Sequence, residues 1–536
     1  MSRIAIVGLA CRVPGADNVA DFWENLLDKK CSISQFGDSV PESHKRQYLG
    51  VVYSKGIISG PNMFDRRRFN INPREASIMD PQIRLLLTCA MEAFADAGIP
   101  HEKAGAGTSV WMTSNHNTYC NFTDVPYDSP SEKLLYRTLN GFDFAAGRVS
   151  YHLNLKGESV SMATACSSSL AAVHLAARSL GTGGCDLALV GGASIQFPRE
   201  LGYIYREGMI YSKDGYCRPF SHDATGVVEG DGVICCLLKR LEDALADGNG
   251  IYAVIDGTFV NHDGSEKIGF TAPGISGMKN CILGAQKSAG VQPGQIAFVE
   301  AHGTGTKLGD LLEVAVLKEI FGEKNGDTIY LQSAKANCGH LIHASGLLAL
   351  MKTALSLNAG LLPPQAVFTG PNPSLKLDKT PFCVNTDPVK LFPRAGSGEV
   401  FAGVSNFGMA GTNAHAIVSR PAEYPPKTVA RQAVAWQDEN YWLSPETVYP
   451  NLLAAAQRTA APISADVITQ EIQNFLSDYN IEGELSPEIN LTDLGVDSLL
   501  LLELTDRLNK AAKAQVSYRD LLKAQTLGGI LKLYGK

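Results

Sequence analysis

Residues 159–180 read SVSMATACSSSLAAVHLAARSL, and the two parts of this stretch follow different patterns. Ser159–Thr164 is short and rich in small and β-branched residues, as strands are. Ser167–Leu180 sets apolar residues at helical spacing behind a serine-rich start. A strand that passes straight into a helix is the working unit of a layered α/β fold. Cys166 stands at the joint. A cysteine at a helix N-terminus faces the positive end of the macrodipole, which lowers its pKa and favours thiolate. Its small neighbours leave room for a substrate to approach the sulfur. The same residues also suit a buried structural cysteine beside a serine-rich cap.

Outward from this stretch, strand and helix patterns alternate from residue 1 to about 420. Strands are expected at Ile4–Leu9, Val110–Thr113, Asp186–Gly191, Gly232–Leu238, Ile296–Glu300 and Tyr330–Ser333, and helices at Pro81–Ala97, Gly277–Ala289, Gly309–Phe321 and Ala344–Asn358. Two strand ends carry histidines in glycine-rich sequence: Glu300-Ala301-His302-Gly303-Thr304-Gly305-Thr306 and Lys335-Ala336-Asn337-Cys338-Gly339-His340. Glycine lets backbone come close to a ligand that an imidazole can then reach. A lone histidine of this kind is more often a satisfied core residue. Two in matching contexts, downstream of a poised cysteine, fit a covalent thioester mechanism in which neutral imidazoles donate to a developing enolate or carboxylate. Gly403–His415 reads as a further glycine-rich loop after a strand, either a source of oxyanion-hole N–H groups or a structural hairpin. No repeat of fixed period is visible.

Composition narrows the function classes. The 536 residues are 45% hydrophobic and 19% charged, which excludes a disordered or fibrous chain. A net charge of −7 without a basic stripe gives no reason to expect nucleic acid as a partner. No stretch of about 18 apolar residues exists, so no membrane span is expected, and the opening MSRIAIVGLACRVPG reads as a strand and not as a signal peptide. Twelve cysteines in such a chain read as reduced thiols of a cytoplasmic protein. Cys235 and Cys236 lie in a strand-like run, with side chains on opposite faces. No spacing resembles a metal site, and none is expected.

From Ser419 to about Pro462 the texture becomes that of a linker laid along a surface, with Trp436, Tyr441 and Trp442 as anchors. A short all-helical segment follows. Between Ala461 and Asp506 there is no lysine or arginine but ten acidic residues, a charge that steers toward basic partners or simply solubilises a helical bundle.

The cysteine motif, His302-Gly303-Thr304-Gly305-Thr306, Lys335-x-Asn-x-Gly-His340 and Gly411-Thr412-Asn413-Ala414-His415 resemble, in this order, the β-ketoacyl synthases. The best likeness is to ketosynthase domains of modular type I polyketide synthases. Asp80-Pro81-Gln82, Asn261-His262-Asp263-Gly264, Phe270-Thr271-Ala272-Pro273 and the opening Ile4-Ala5-Ile6-Val7-Gly8 strengthen it. The resemblance covers residues 1–420 and implies a thiolase-like fold of two similar halves in α/β/α/β/α layers, assembled as a homodimer. It makes Cys166 the acyl-accepting nucleophile and His302 and His340 the pair that assists decarboxylation and stabilises the enolate. Lys335 becomes the residue that orders the site through an ion pair with Glu313. Phe407 becomes the gating aromatic, its loop amide joining that of Cys166 in the oxyanion hole. Ala163, where such domains usually carry aspartate, and Met409-Ala410, where Phe-Gly is commoner, bear on substrate preference and local rigidity.

The tail carries a second resemblance. Leu491-Thr492-Asp493-Leu494-Gly495-Val496-Asp497-Ser498-Leu499 is similar to the modification site of acyl carrier proteins, which makes Ser498 the attachment point of 4′-phosphopantetheine. On this reading residues 1–420 are a ketosynthase domain, 421–462 a linker resembling the segment that follows an acyltransferase, and 463–536 a carrier domain. The expected reaction is acyl transfer to Cys166, then decarboxylative Claisen condensation with a malonyl extender on the carrier, giving a β-ketoacyl thioester. No acyltransferase fits between the two domains, so a trans-acting acyltransferase would load the carrier, after a phosphopantetheinyl transferase has modified it. The alternatives are a non-elongating acyl-transfer scaffold, or a ketosynthase fold diverted to cyclisation.

Overall fold

The first strand, Ile4–Arg12 (β1), consists almost wholly of apolar and small residues and is buried along its length, as a strand covered on both faces must be. The computed structural model to which it belongs describes residues 2–39, 50–122, 129–267, 269–323, 327–394, 397–421, 424, 426–429, 434–442, 465–479, 481, 485–491, 494, 496, 498–512, 516, 520, 521, 524 and 526–534. Two compact units divide the chain, Met1–Val448 and Tyr449–Lys536.

In the first unit β1 is followed by α1 (Pro81–Ala97), β2 (Thr108–Ser114), α2 (Ala145–Leu153), β3 (Ser159–Ser161), α3 (Ser168–Gly181), β4 (Leu187–Ser194) and β5 (Gly232–Arg240). The next stretch repeats that order. It runs β6 (Ala253–His262), α4 (Ile275–Ala289), β7 (Ile296–Glu300), α5 (Lys307–Phe321), β8 (Ile329–Gln332), α6 (Ser345–Ala359), β9 (Glu399–Phe407) and β10 (Thr412–Pro421). Pairing repeats as well. The strands lie β3-β2-β4-β5-β1 in one half and β8-β7-β9-β10-β6 in the other, with β1 joined to β6. In both halves the first two pairings are parallel and the last two antiparallel. The internal duplication that no fixed period revealed is therefore plain in the topology.

Three apolar clusters show the layering. One holds α3 and α6 with the inward faces of both halves' strands. A second lies under α1 and α2 on the outer face of the first half. The third lies under α4 and α5 on the outer face of the second. The expected α/β/α/β/α order holds. Helix α6 is buried at every residue from Ser345 to Asn358, the condition of a helix apolar all round. Cys235 and Cys236 face different clusters, as strand alternation requires.

Helix α1 spans the expected residues because Asp80 caps its first turn, Pro81 opens it and Gly98, at φ 67°, ends it. Gly403–His415 takes the hairpin form of the two expected. It is a hairpin in which β9 runs to Phe407 and β10 begins at Thr412. The segment 434–442 lies along the first unit. Trp436 donates to Glu92 Oε1 at 2.8 Å and stacks on Phe69, Tyr441 is buried, and Trp442 meets Phe197 and Tyr119 edge-on and tilted. All three expected anchors are engaged. Residues 443–464 of the linker, and Glu482, Glu484, Asp493 and Asp497 of the acidic tail, lie outside the described residues.

The second unit contains α7 (Ala465–Asp478), α8 (Ser498–Ala512) and α9 (Leu527–Tyr534). They close over an apolar core that includes Ile472, Phe475, Leu504, Leu508 and Ile530.

Candidate active site

The turn before α3 is held by its own serines. Ser167 Oγ donates to Thr164 O at 2.9 Å, Ser168 Oγ donates to Ala165 O at 2.6 Å, and the Thr164 N–H donates to Ser168 Oγ at 2.8 Å. This bracing supports a left-handed Ala165 (φ 56°) immediately before Cys166, a conformation that costs a residue with a Cβ roughly 1–3 kcal/mol. Cys166 is 7% exposed. Burial pushes its thiol up, against the opposing pull of the Met409 N–H, the Lys335 ammonium and its own N–H. The helix end by itself would lower the thiol, as expected from its position. Desolvation of the anion is the larger effect here.

The loop amide that most opposes this rise is that of Met409, two places after Phe407 and inside the Gly403–His415 stretch expected to offer such N–H groups. The Phe407 N–H is turned away and donates to His302 Nδ1 at 3.4 Å, while its ring packs 5.8 Å from the imidazole. Gly408 lets the hairpin approach: a Cβ there would stand 2.5 Å from Thr164 O. Together the N–H groups of Cys166 and Met409 form a pair of donors at the thiol.

His302 and His340 lie with ring centroids 5.7 Å apart and planes nearly perpendicular. His340 Nδ1 accepts the Ile342 N–H at 3.2 Å and lies 2.7 Å from Ser345 Oγ. Because each Nδ1 accepts a backbone N–H, each ring carries its proton on Nε2. Burial, followed by the charge of Lys335, holds both imidazoles well below the ordinary histidine range. Both are neutral donors at physiological pH.

Lys335 is buried and central: its charge acts on Cys166, His302 and His340 alike. Its ammonium donates to the His302 carbonyl. The anticipated Lys335–Glu313 ion pair does not form. Glu313 Oε1 and Oε2 are taken instead by the N–H groups of His302 and Gly303, each at 2.8 Å, so the two residues grip the His302 loop from opposite sides. Asp310, one turn earlier on α5, accepts from Gly305 N–H at 3.1 Å and Phe220 N–H at 2.7 Å. Asp310 and Ser345 lie at the site although the motifs do not single them out. Asp310 could have been found from its i, i+3 spacing to Glu313 on one helix face; Ser345 leaves no such signal.

Helix α8 opens at Ser498, whose side chain lies outside the described residues. A serine at the first turn of a helix over a packed core suits phosphodiester attachment, since the helix N-terminus favours the phosphate charge. Among the described residues no helix is long and apolar enough to cross a membrane.

Residues 1–244 match the family Beta-ketoacyl synthase, N-terminal domain, residues 252–369 its C-terminal domain, and residues 470–533 the Phosphopantetheine attachment site. A component of the phenolphthiocerol/phthiocerol polyketide synthase of Mycobacterium tuberculosis is 39% identical over 440 residues, covering 79% of this chain and 29% of that protein. Polyketide synthase PksN of Bacillus subtilis is 37% identical over 426 residues, covering 77% of this chain and 8% of that protein. The chain thus spans less than a third of these curated relatives. Among solved structures, ketosynthase twelve of the bacillaene polyketide synthase in Bacillus amyloliquefaciens has a TM-score of 0.74 at 35% identity, covering 78% of this chain and 73% of that one. The ketosynthase from module 6 of the bacillaene synthase from Bacillus subtilis has a TM-score of 0.69 at 35% identity, covering 78% of this chain and 72% of that one. The chain belongs to the β-ketoacyl synthase family, with a phosphopantetheine attachment domain after the ketosynthase.

Proposed function

We propose that this chain extends a polyketide by decarboxylative condensation. The observation that carries the reading is the pair of neutral imidazoles with Nε2–H groups free of the backbone, held beside a thiol that has two amide donors of its own. Cys166 Sγ attacks the carbonyl of an incoming acyl thioester, and the N–H groups of Cys166 and Met409 hold the tetrahedral oxyanion. The donor thiol leaves with the proton, and the acyl group stays on Cys166. His302 and His340 then donate to the thioester oxygen of a malonyl extender. The bond to its carboxylate breaks, CO2 departs, and the electron pair passes into an enolate held by the two N–H groups. No strong base is needed. The enolate carbon attacks the Cys166-bound carbonyl, Cys166 Sγ leaves as thiolate and takes a proton from solvent, and a β-ketoacyl thioester results. Lys335, Glu313 and Asp310 position the His302 loop, and the ring of Phe407 packs beside His302. With both histidines in place, the non-elongating and cyclising alternatives have no observation in their favour.

Ser498 would hold the 4′-phosphopantetheine, which supplies a long arm ending in a thiol for acyl and malonyl groups. Residues 1–420, 421–462 and 463–536 serve as ketosynthase, linker and carrier. A trans-acting acyltransferase and a phosphopantetheinyl transferase would be the partners, along with other acyl carrier proteins, in the cytoplasm. A homodimer through the ketosynthase unit is supported by β3, which ends its sheet with one edge paired and, among the described residues, the other open.

The test is intact-mass spectrometry of the pantetheinylated chain given an acyl donor and malonyl extender. A product two carbons longer is expected. An acylated Cys166 with no longer chain would defeat the reading. His302→Ala should abolish extension while Cys166 still takes up the acyl group.

A further inference from the structure

One carboxylate whose charge is felt at the thiol is left unused by this chemistry. Glu229 pairs with His340 across an isolated parallel bridge. The Gly230 N–H donates to His340 O at 2.9 Å and the His340 N–H donates to Val228 O at 2.7 Å. Residues paired in this way project to the same face, so the Glu229 and His340 side chains leave the bridge on one side. It is half-buried. Its Oε1 accepts the Tyr211 hydroxyl at 2.7 Å and its Oε2 the Gln196 amide at 2.7 Å. These two donors lie on separate stretches of chain and fix the carboxylate in place. Both are neutral, and each carboxylate oxygen can accept a further bond. Among the charges acting on the Cys166 sulfur, that of Glu229 works against thiolate formation.

We infer that Glu229, oriented by Tyr211 and Gln196, selects acyl chains that carry a hydrogen-bond donor close to the thioester, a hydroxyl or a protonated amine. Once such a chain is on Cys166, its donor fills the open acceptor site of the carboxylate. A plain alkyl chain leaves the same carboxylate facing hydrocarbon and loses hydration without a replacement. The inference rests on the acyl-transfer reading above and specifies the substrate class of the same site.

The experiment uses the full chain with Ser498 unmodified and follows Cys166 acylation by intact mass. The donors are butyryl, 3-hydroxybutyryl and 3-aminobutyryl pantetheine thioesters. A hydrogen bond to a charged group gives about a ten- to a hundredfold preference for the two donor-bearing chains. Glu229→Leu should erase that preference. Glu229→Gln, which keeps a neutral acceptor, should keep part of it for the hydroxyl and lose it for the amine. Thermal melts of both variants establish folding, and the isosteric glutamine variant decides the matter if the leucine variant is unstable. Equal rates for the three chains in the unmodified protein, or an undiminished preference in both variants, would overturn the inference while leaving the condensation reading intact. Absence of acylation by every donor would overturn both.

Discussion

Replacing Glu313 by glutamine tests whether the His302 loop is positioned independently of the thiol. The carboxylate accepts two backbone N–H groups at 2.8 Å, one on each oxygen. An amide of the same shape offers one acceptor and turns its NH2 toward the other N–H. One buried donor is then orphaned, at a cost of about 1–3 kcal/mol. The lost charge also counts, because Glu313 favours the charged form of a Lys335 that burial already pulls down. The neighbouring Lys335 grip on the His302 carbonyl weakens with it. A donor misplaced by about an ångström costs roughly a hundredfold in rate. The two half-reactions separate the effects. CO2 release from a malonyl thioester on the acylated enzyme should fall about a hundredfold, while Cys166 acylation, which uses the amides of Cys166 and Met409, should slow far less. If both steps fall equally, or if CO2 release is unchanged, Glu313 does not act through His302.

Gly408→Ala should slow Cys166 acylation by about ten- to a hundredfold, since its Cβ would meet Thr164 O at 2.5 Å and push the Met409 amide off the thiol; acylation rate by intact mass is the measure, and an unchanged rate would remove Met409 from the oxyanion hole. Burial pushes Asp310 and Asp80 each up to about 7. The folded chain therefore keeps protons that the unfolded chain has lost, and stability is present below the ordinary aspartate value and lost as pH rises to about 7. The loss is on the order of 1 kcal/mol per pH unit for each group. Denaturant midpoints across that window should show a shallower fall for Asp310→Asn, and an equal slope would refute the assignment. A chain cut after Pro421 should aggregate, because it uncovers the Phe69 and Tyr119 faces and leaves the buried Arg84 without the Tyr441 carbonyl it donates to at 2.5 Å; a soluble, cooperatively melting product would show that the strap adds little.

Much of the fold was legible because apolar periodicity is a local property. Strand β7 and helix α1 have the expected ends, Ile296–Glu300 and Pro81–Ala97. Cys166, His302, Lys335, His340 and Phe407 stand in short motifs, and the resemblance alone points to Glu313. What sequence could not supply was how these groups divide the available donors and acceptors. That Glu313 binds amides and not Lys335 depends on where the His302 loop turns. Which N–H of the Gly403–His415 stretch serves the sulfur depends on a hairpin whose register is set across two strands. The direction of the thiol shift was missed for the same reason: burial is a property of the assembled core, and it outweighed a helix end that can be read locally. Ser345 and Ile342, which fix the His340 tautomer, carry no motif at all.

The duplication explains why the reactive groups meet. In each half the central helix follows the third strand, as α3 follows β3 and α6 follows β8. In each half a left-handed residue with a side chain stands three places before that helix, Ala165 in one and Ile342 in the other. Such strain persists only where surrounding structure enforces it. The two helices pack start to start: the Leu347 N–H donates to Ser169 Oγ at 3.1 Å, and a Cβ on Gly346 would stand 2.5 Å from Leu170 N. One half therefore delivers a thiol and the other an imidazole to the same junction, from equivalent turns. The second half adds His302 after its second strand and the Met409 amide after its fourth. A change that separated α3 from α6, such as Gly346→Leu, would press on Leu170 in the first turn of α3 and move the Cys166 thiol away from the His340 imidazole. Such a chain should still acylate Cys166 and should fail to extend it.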